Sequence, residues 1–193
     1  ALSACAPLVL GGAMVGGTLV ATDRRTPGIQ LEDESIELKA GQNLRAYLPD
    51  RAHINVNSYN RMVLLTGEVA SDADKAKAEQ VASKIDNVRG VMNELEVGFT
   101  SSLTSRSTDA LLTSRVKAAL VGAQDLLANA YYVVSERGIV YLMGRVTERE
   151  ANRAADVAAG ISGVKRVVKM FELISEEELA RISPKQTPAK PAQ

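Results

Sequence analysis

Catalysis needs reactive side chains brought together, and this chain of 193 residues offers few. His53 is its one histidine and Cys5 its one cysteine. A zinc site takes three or four His, Cys or carboxylate ligands, and no such set surrounds His53. A serine triad needs a histidine held by an acid and touching a serine, and the sequence has no such signature. His53 reads as a surface or edge residue of a strand. Gly11, Gly12, Gly16 and Gly17 are not followed by Gly-Lys-Ser/Thr, so they form no phosphate-cradling loop. Glu32, Asp33, Glu34 and Glu37 fit a helix start better than an acid–base pair. No catalytic residue, metal ligand or cofactor is expected. Lys165-Arg166 could touch a phosphate, though two adjacent turn or strand residues do not make a motif. The remaining chemistry is a set of cations beside an apolar residue: Leu111, Arg115, Lys117 and Ala118, with Arg106 nearby. Such a set suits an anionic surface. With no Trp and 4% aromatics, a stacking platform for nucleic acid is not expected.

The elements that carry these residues come from a duplication. Val63-Leu64-Leu65-Thr66-Gly67-Glu68-Val69 and Val140-Tyr141-Leu142-Met143-Gly144-Arg145-Val146 share the form V-x-L-x-G-x-V, 77 residues apart. In a strand, the four shared residues point to one face. That face is kept, and the other differs at every position, which suggests one packing surface and one free partner surface. Gly67 and Gly144, lacking a Cβ, would let a covering helix approach. Each run is preceded by a shorter strand, around His53 to Val56 and Ala130 to Val133. Hairpin turns fall at Ser58 to Arg61 and Ser135 to Gly138.

Ser71 to Asp74 and Thr147 to Glu150 look like capping boxes, the second better because Glu reaches further than Asp. Apolar stripes at helical spacing follow: Ala78, Val81, Ala82 and Ile85, then Ala151, Ala154, Ala155, Ala158 and Ile161. Closing strands run from Gly90 to Val97 and from Arg166 to Leu173. An opening helix is expected over Leu31 to Leu48, stopped by Pro49, and over about Thr108 to Val121. Ile36, Ala40, Leu44, Tyr47 and Leu48 follow helical spacing in the first, and Leu112, Val116, Ala119 and Leu120 form the core stripe of the second. Each unit therefore reads helix, strand, strand, helix, strand. The fold class is α+β: two tandem units, each a three-stranded mixed sheet on two helices.

Charge separates the copies. Leu31 to Val97 carries 8 Lys/Arg against 12 Asp/Glu, a balance of −4; Leu103 to Ile174 carries 10 against 7, a balance of +3. That split could dock one copy on the other, give the second an anionic partner, or reflect drift between duplicates. Leu2-Ser3-Ala4-Cys5 resembles a bacterial lipobox, in which the signal peptide is cut before an acylated Cys. Cys5 is thus the expected lipidation site, and Ala6 resembles an outer-membrane address. Residues 1–4 read as a signal-peptide remnant and 5–30 as a membrane-proximal tether. Within it, the segment from Asp23 to Gly28 is expected to break regular structure. The first domain is expected over 31–97, a Ser/Thr-rich linker over 98–107, the second domain over 108–174 and a disordered tail over 175–193. One helical turn is expected at Glu176 to Leu179.

With the mid-strand glycines Gly67 and Gly144 and the Gly163-Val164 turn, the chain resembles the BON domain family. Gly90-Val91 looks like a similar cluster in the first copy. Two such units behind a lipobox are similar to the dual BON-domain outer-membrane lipoproteins, especially over Tyr141 to Ala151 and Ser162 to Val167. The resemblance implies a non-enzymatic, lipid-anchored protein at the periplasmic face of the outer membrane, supporting envelope integrity. It also implies that the second domain binds anionic phospholipid such as phosphatidylglycerol or cardiolipin. The lipid-facing set is then Leu111, Leu112, Arg115, Lys117 and Ala118, although Leu112 also belongs to the core stripe. Gly67, Gly144 and Gly163 are structural. Leu111, Arg115 and Ala118 lie about 100° around the helix from the core stripe. The alternative is an adaptor for outer-membrane protein assembly, working through the apolar hairpin face of Ile139, Tyr141 and Met143, unless that face is buried against the first domain.

Overall fold

The computed structural model describes residues 23–48, 52–99 and 102–182. Cys5, the glycine run, Pro49 and Pro184 to Gln193 lie outside them. The first domain comprises α1 (Pro27–Tyr47), β1 (His53–Tyr59), β2 (Met62–Val69), α2 (Asp72–Ser83), β3 (Gly90–Asn93) and β4 (Glu96–Val97). The second comprises α3 (Leu103–Gly122), β5 (Tyr132–Glu136), β6 (Ile139–Val146), α4 (Glu148–Ala159) and β7 (Arg166–Leu173). A short helix, α5 (Glu176–Ile182), follows. In each domain the long middle strand pairs antiparallel with the strand before it and parallel with the strand after α2 or α4. The first domain's closing strand is interrupted at Glu94-Leu95, so β3 and β4 pair with β2 separately.

The repeated face packs as its periodicity predicts. Val63, Leu65 and Val69 join Ile36, Ala40, Leu44, Ala78 and Ala82 in one core. Val140, Leu142 and Val146 join Leu112, Val116, Leu120, Ala154 and Ala158 in the other. The glycines serve a different purpose from the one expected. A Cβ on Gly67 would strike the His53 carbonyl oxygen, and one on Gly144 the Ala130 carbonyl oxygen. The close approach is thus made by backbone at the start of β1 and, before β5, by the end of a short 3-10 helix (Ala128–Ala130), not by a helix covering the sheet. Gly67 also has φ +112, where an L side chain is strained.

The opposite face is not free. Leu64 and Tyr59 of the first sheet pack with Tyr141 and Met143 of the second, all four at most 4% exposed. The sheets lie face to face, and each large side chain so buried contributes about 1.5–3 kcal/mol. Polar groups fix the register around this cluster. Asn55 Nδ2 donates to Glu136 Oε2 at 2.8 Å and Asn57 Nδ2 to the Tyr132 hydroxyl at 3.2 Å. Arg137 meets Glu96 at 3.0 Å, Arg166 meets Glu94 at 3.1 Å and Arg89 meets Glu172 at 3.1 Å. Two of these three pairs set a second-domain cation against a first-domain acid, so part of the charge split serves docking. Tyr141 and Met143 are therefore unavailable as an adaptor surface.

Several boundaries move. Thr26 caps α1 and Pro27 occupies its first turn, so the helix starts four residues before Leu31 and the 23–28 segment is not wholly irregular. Ser102 caps α3, which begins inside the expected linker. There Ser107 and Thr108 hydroxyls donate to the carbonyls of Leu103 and Thr104, each at 3.0 Å. That back-bonding satisfies the hydroxyls within a helix. The tail is helical as far as Ile182. The hairpin turns sit slightly later than expected, with Asn60 and Arg61, then Arg137 and Gly138, as left-handed central pairs.

Candidate functional site

The surface of α3 is set from its inner side. Leu112, Val116 and Leu120 anchor it to the sheet, and Asp109, 6% exposed, is buried with them. Asp109 accepts from the backbone N–H groups of Arg137 at 2.8 Å and Gly138 at 2.9 Å. The buried carboxylate thus fixes the helix to the hairpin turn. Asp33 does the same in α1, accepting from Asn60 N at 2.8 Å and Arg61 N at 2.7 Å. Sequence reasoning took Asp33 for a helix-start charge and gave Asp109 no role in a turn. The clue it passed over is that each lies three residues before the first core position, Ile36 or Leu112.

With the inner stripe placed, the outer face follows. Leu111 is 61% exposed, and Arg115, Lys117 and Ala118 are exposed. The structure brings these four together on one helix face and its flanks. Leu112 is different: it is 4% exposed and belongs to the core, so it does not share that exposed face. Two residues missed by sequence reasoning extend the face. Leu103 is 79% and Val121 71% exposed, at opposite ends of α3. Their separation of 18 residues is five turns, which puts them on one line. Placing the helix start at Thr108 hid Leu103. The four charged residues of α3 are Arg106, Asp109, Arg115 and Lys117, so its only acid is the buried one.

Asp23, Arg24 and Arg25 are held in ion pairs. Arg24 grips Glu150 with two bonds of 2.8 Å, and both side chains are nearly buried, at 6% and 5% exposed. Arg24 also donates to the Arg145 carbonyl at 2.8 Å. Glu150 is the reciprocal member of the Thr147 capping box, accepting from Thr147 N at 3.0 Å. Burial alone would raise the Glu150 carboxyl, but the Arg24 and Thr147 hydrogen bonds hold it below its ordinary range. Arg25 bonds Asp23 and Asp33 and lies 4.3 Å over the Tyr59 ring. The segment before α1 is thereby fastened to both domains. Asp23 shares a cleft with Lys117, Leu120 and Val121, so the segment before α1 lies beside the C-terminal end of α3.

The remaining sequence sites resolve plainly. Gly163 has φ +100, and its counterpart is Asn87 with φ +69 rather than Gly90. Asn tolerates the left-handed conformation, which is why the first copy can omit the glycine. His53 sits half-buried on the edge strand β1, its imidazole pushed down by burial and by the Arg106 charge. No helix among the described residues is long and apolar enough to cross a membrane.

The BON domain model matches residues 32–98 and again 108–175, and the chain belongs to that family. Specifically, it is a dual BON-domain chain similar to the outer membrane lipoprotein DolP of Haemophilus influenzae, with 39% identity over 90% of either chain. It is also similar to the 21 kDa hemolysin of Actinobacillus pleuropneumoniae, at 31% identity over 79% of each. Osmotically-inducible protein Y of Escherichia coli is 29% identical, over 78% of this chain and 77% of that one. None of these three names describes an enzyme.

Proposed function

We propose that this is a non-enzymatic protein of the periplasmic face of the outer membrane, anchored by acylation of Cys5, whose second BON domain binds anionic phospholipid and so supports envelope integrity. The similarity to an outer membrane lipoprotein favours the location. The observation that carries the lipid reading is the outer face of α3: Leu103, Leu111 and Val121 exposed, Arg115 and Lys117 beside them, and its one acid buried. Apolar residues flanked by cations match the boundary between headgroups and acyl chains. The position of Asp23 in a cleft with Lys117 and Val121, at the C-terminal end of α3, supports a single-membrane arrangement. Anchor and helix then meet one bilayer, and the anchor raises the helix's effective concentration there.

Vesicle flotation tests the reading. The chain should float with phosphatidylcholine vesicles containing phosphatidylglycerol or cardiolipin, and not with phosphatidylcholine alone. Leu111→Glu with Arg115→Glu should weaken binding about a hundredfold or more, by loss of apolar contact and reversal of charge. Unchanged flotation of that variant would remove α3 from the interface.

A further inference from the structure

Beside the outer face of α3 lies a cleft of about 530 Å3 whose lining includes Ser105, Thr108, Leu112, Arg115, Gly163 and Lys165. It forms where the first turns of α3, the β5–β6 turn and the α4–β7 turn meet. Two of its charges are already engaged. Arg137 is held by Glu96 at 3.0 Å and Glu68 at 3.5 Å, and both Asp109 oxygens accept turn N–H groups. Arg115 and Lys165 have no ion-pair partner among the described residues. The Lys165 stem is directed by the turn: its Cδ would lie 3.1 Å from a Cβ on Gly138, and its N–H donates to Gly138 O at 2.8 Å.

The first domain has the same construction with the charge cancelled. Arg89 is the counterpart of Lys165, its N–H donating to Arg61 O at 2.8 Å. Arg89 meets Glu172 at 3.1 Å, and Arg61 lies 3.8 Å from Glu32. Glu32 directly precedes Asp33; the residue directly before Asp109 is Thr108. One copy therefore holds a carboxylate where the other holds a neutral threonine, whose hydroxyl is already donated to the Thr104 carbonyl at 3.0 Å. The second cleft keeps two cations without an ion-pair partner among the described residues, no carboxylate in place of Glu32, and room. Phe99, 97% exposed, lines the same cleft, and Leu111 is one residue along α3 from Leu112 in its wall.

We propose that this cleft seats the phosphate of an anionic phospholipid, with Arg115 and Lys165 flanking it and Phe99 and Leu111 resting at the acyl boundary. The shared chemistry is a phosphate group. The adjacent apolar residues favour a lipid over a free ion, because they would gain nothing from a soluble anion. The inference rests on the lipid-binding reading above and adds Lys165, Thr108 and Phe99 to it.

The test uses the full chain and sedimentation with phosphatidylcholine vesicles, with and without phosphatidylglycerol. Thr108→Glu restores the first domain's neutralising acid, and Lys165→Ser removes a cation. Each should lower affinity for the anionic vesicles about fivefold. Lys84→Ser, which removes one exposed charge from the first domain, should bind as the parent does. Unchanged thermal melts confirm that the variants fold. If Thr108→Glu and Lys165→Ser bind normally while Leu111→Glu fails, the face is right and the cleft is wrong. If Leu111→Glu also binds normally, the lipid-binding reading itself falls. In a separate arm, inorganic phosphate is titrated against the Gly163 and Lys165 amide resonances. Shifts that do not saturate in the millimolar range are expected. Tight, saturable binding of free phosphate would assign the cleft to a soluble anion and overturn the lipid assignment.

Discussion

The first helices of the two domains are built alike inside and oppositely outside. Ile36, Ala40 and Leu44 in α1 correspond to Leu112, Val116 and Leu120 in α3, and a buried aspartate ties each helix to its hairpin turn. On the outside, α1 also exposes apolar residues, Leu31 at 67% and Leu38 at 61%. Exposed leucines therefore do not distinguish the copies. Their neighbours do: α1 carries Glu32, Glu34 and Glu37, whereas α3 carries Arg106, Arg115 and Lys117. An anionic bilayer would repel the first and attract the second. Duplication kept what folds the unit and released the surface to diverge.

The comparison can be broken most severely at the contact that lies outside it. Arg24 belongs to neither repeat, yet it neutralises Glu150 in a nearly buried pair. Arg24→Ala would leave that carboxylate without its cation, a change that costs about 3–5 kcal/mol. For a chain of this size the melting temperature should fall by roughly 10 °C. A calorimetric scan checks this. A fall of only a degree or two would mean that the segment before α1 is not fastened to the second domain.

The next largest effect should separate the two turn-holding aspartates. Asp33 serves a turn with no glycine, and it also binds Arg25 at 2.9 Å and accepts from Ser58 Oγ at 2.8 Å. Asp109 serves a turn that includes Gly138. Asn in either place offers one acceptor oxygen in place of two. We expect Asp33→Asn to cost about 3 kcal/mol and Asp109→Asn about 2 kcal/mol, read by urea unfolding. Equal losses would show that the extra partners of Asp33 contribute nothing.

These two sites show what was readable in the chain beforehand. The duplication, the inner stripes and the capping box at Thr147 follow from local periodicity, and local periodicity is written in sequence. The Arg24–Glu150 pair spans 126 positions, and no spacing rule reaches that far. The differing strand face was legible as different, and its burial against the other domain as one of two options that local pattern could not decide. Leu64, Tyr141 and Met143 are apolar for an inter-sheet contact that needs both folded units. At the candidate site, Leu111 and Arg115 could be found from helical phase. Leu103 was not, because the serine-rich stretch at the start of α3 resembles a linker until its hydroxyls are seen back-bonded. Lys165 could be noticed, but the cleft that gives it meaning is assembled from three separate segments.

A smaller contrast concerns the left-handed residue before each closing strand. Gly163→Ala imposes a side chain at φ +100 and should cost about 1–2 kcal/mol. Asn87→Gly relieves φ +69 at the equivalent place and should stay within about 0.5 kcal/mol of the parent. Paired urea melts read the difference. A costly Asn87→Gly would mean that the Asn side chain has a bonding role beyond tolerating the backbone.

The smallest effect is the dependence of stability on pH, and here two glutamates of the second domain oppose each other. The Glu150 carboxyl is held low, so its contribution is present above the ordinary Glu range and is lost as pH falls through its folded value. Glu136 is pushed up, first by burial and then by the Glu68 and Asp109 charges, against a lowering bond from Asn55. A raised carboxyl acts in the other sense: its contribution is complete below its ordinary value and is lost as pH rises through the folded one. Glu136→Gln keeps an acceptor for Asn55 and removes the charge. It should stabilise the parent fold at pH 7 by less than about 1 kcal/mol and leave it unchanged near pH 4. Equal gains at both pH values would mean that the benefit comes from packing rather than from relief of a buried charge between the sheets.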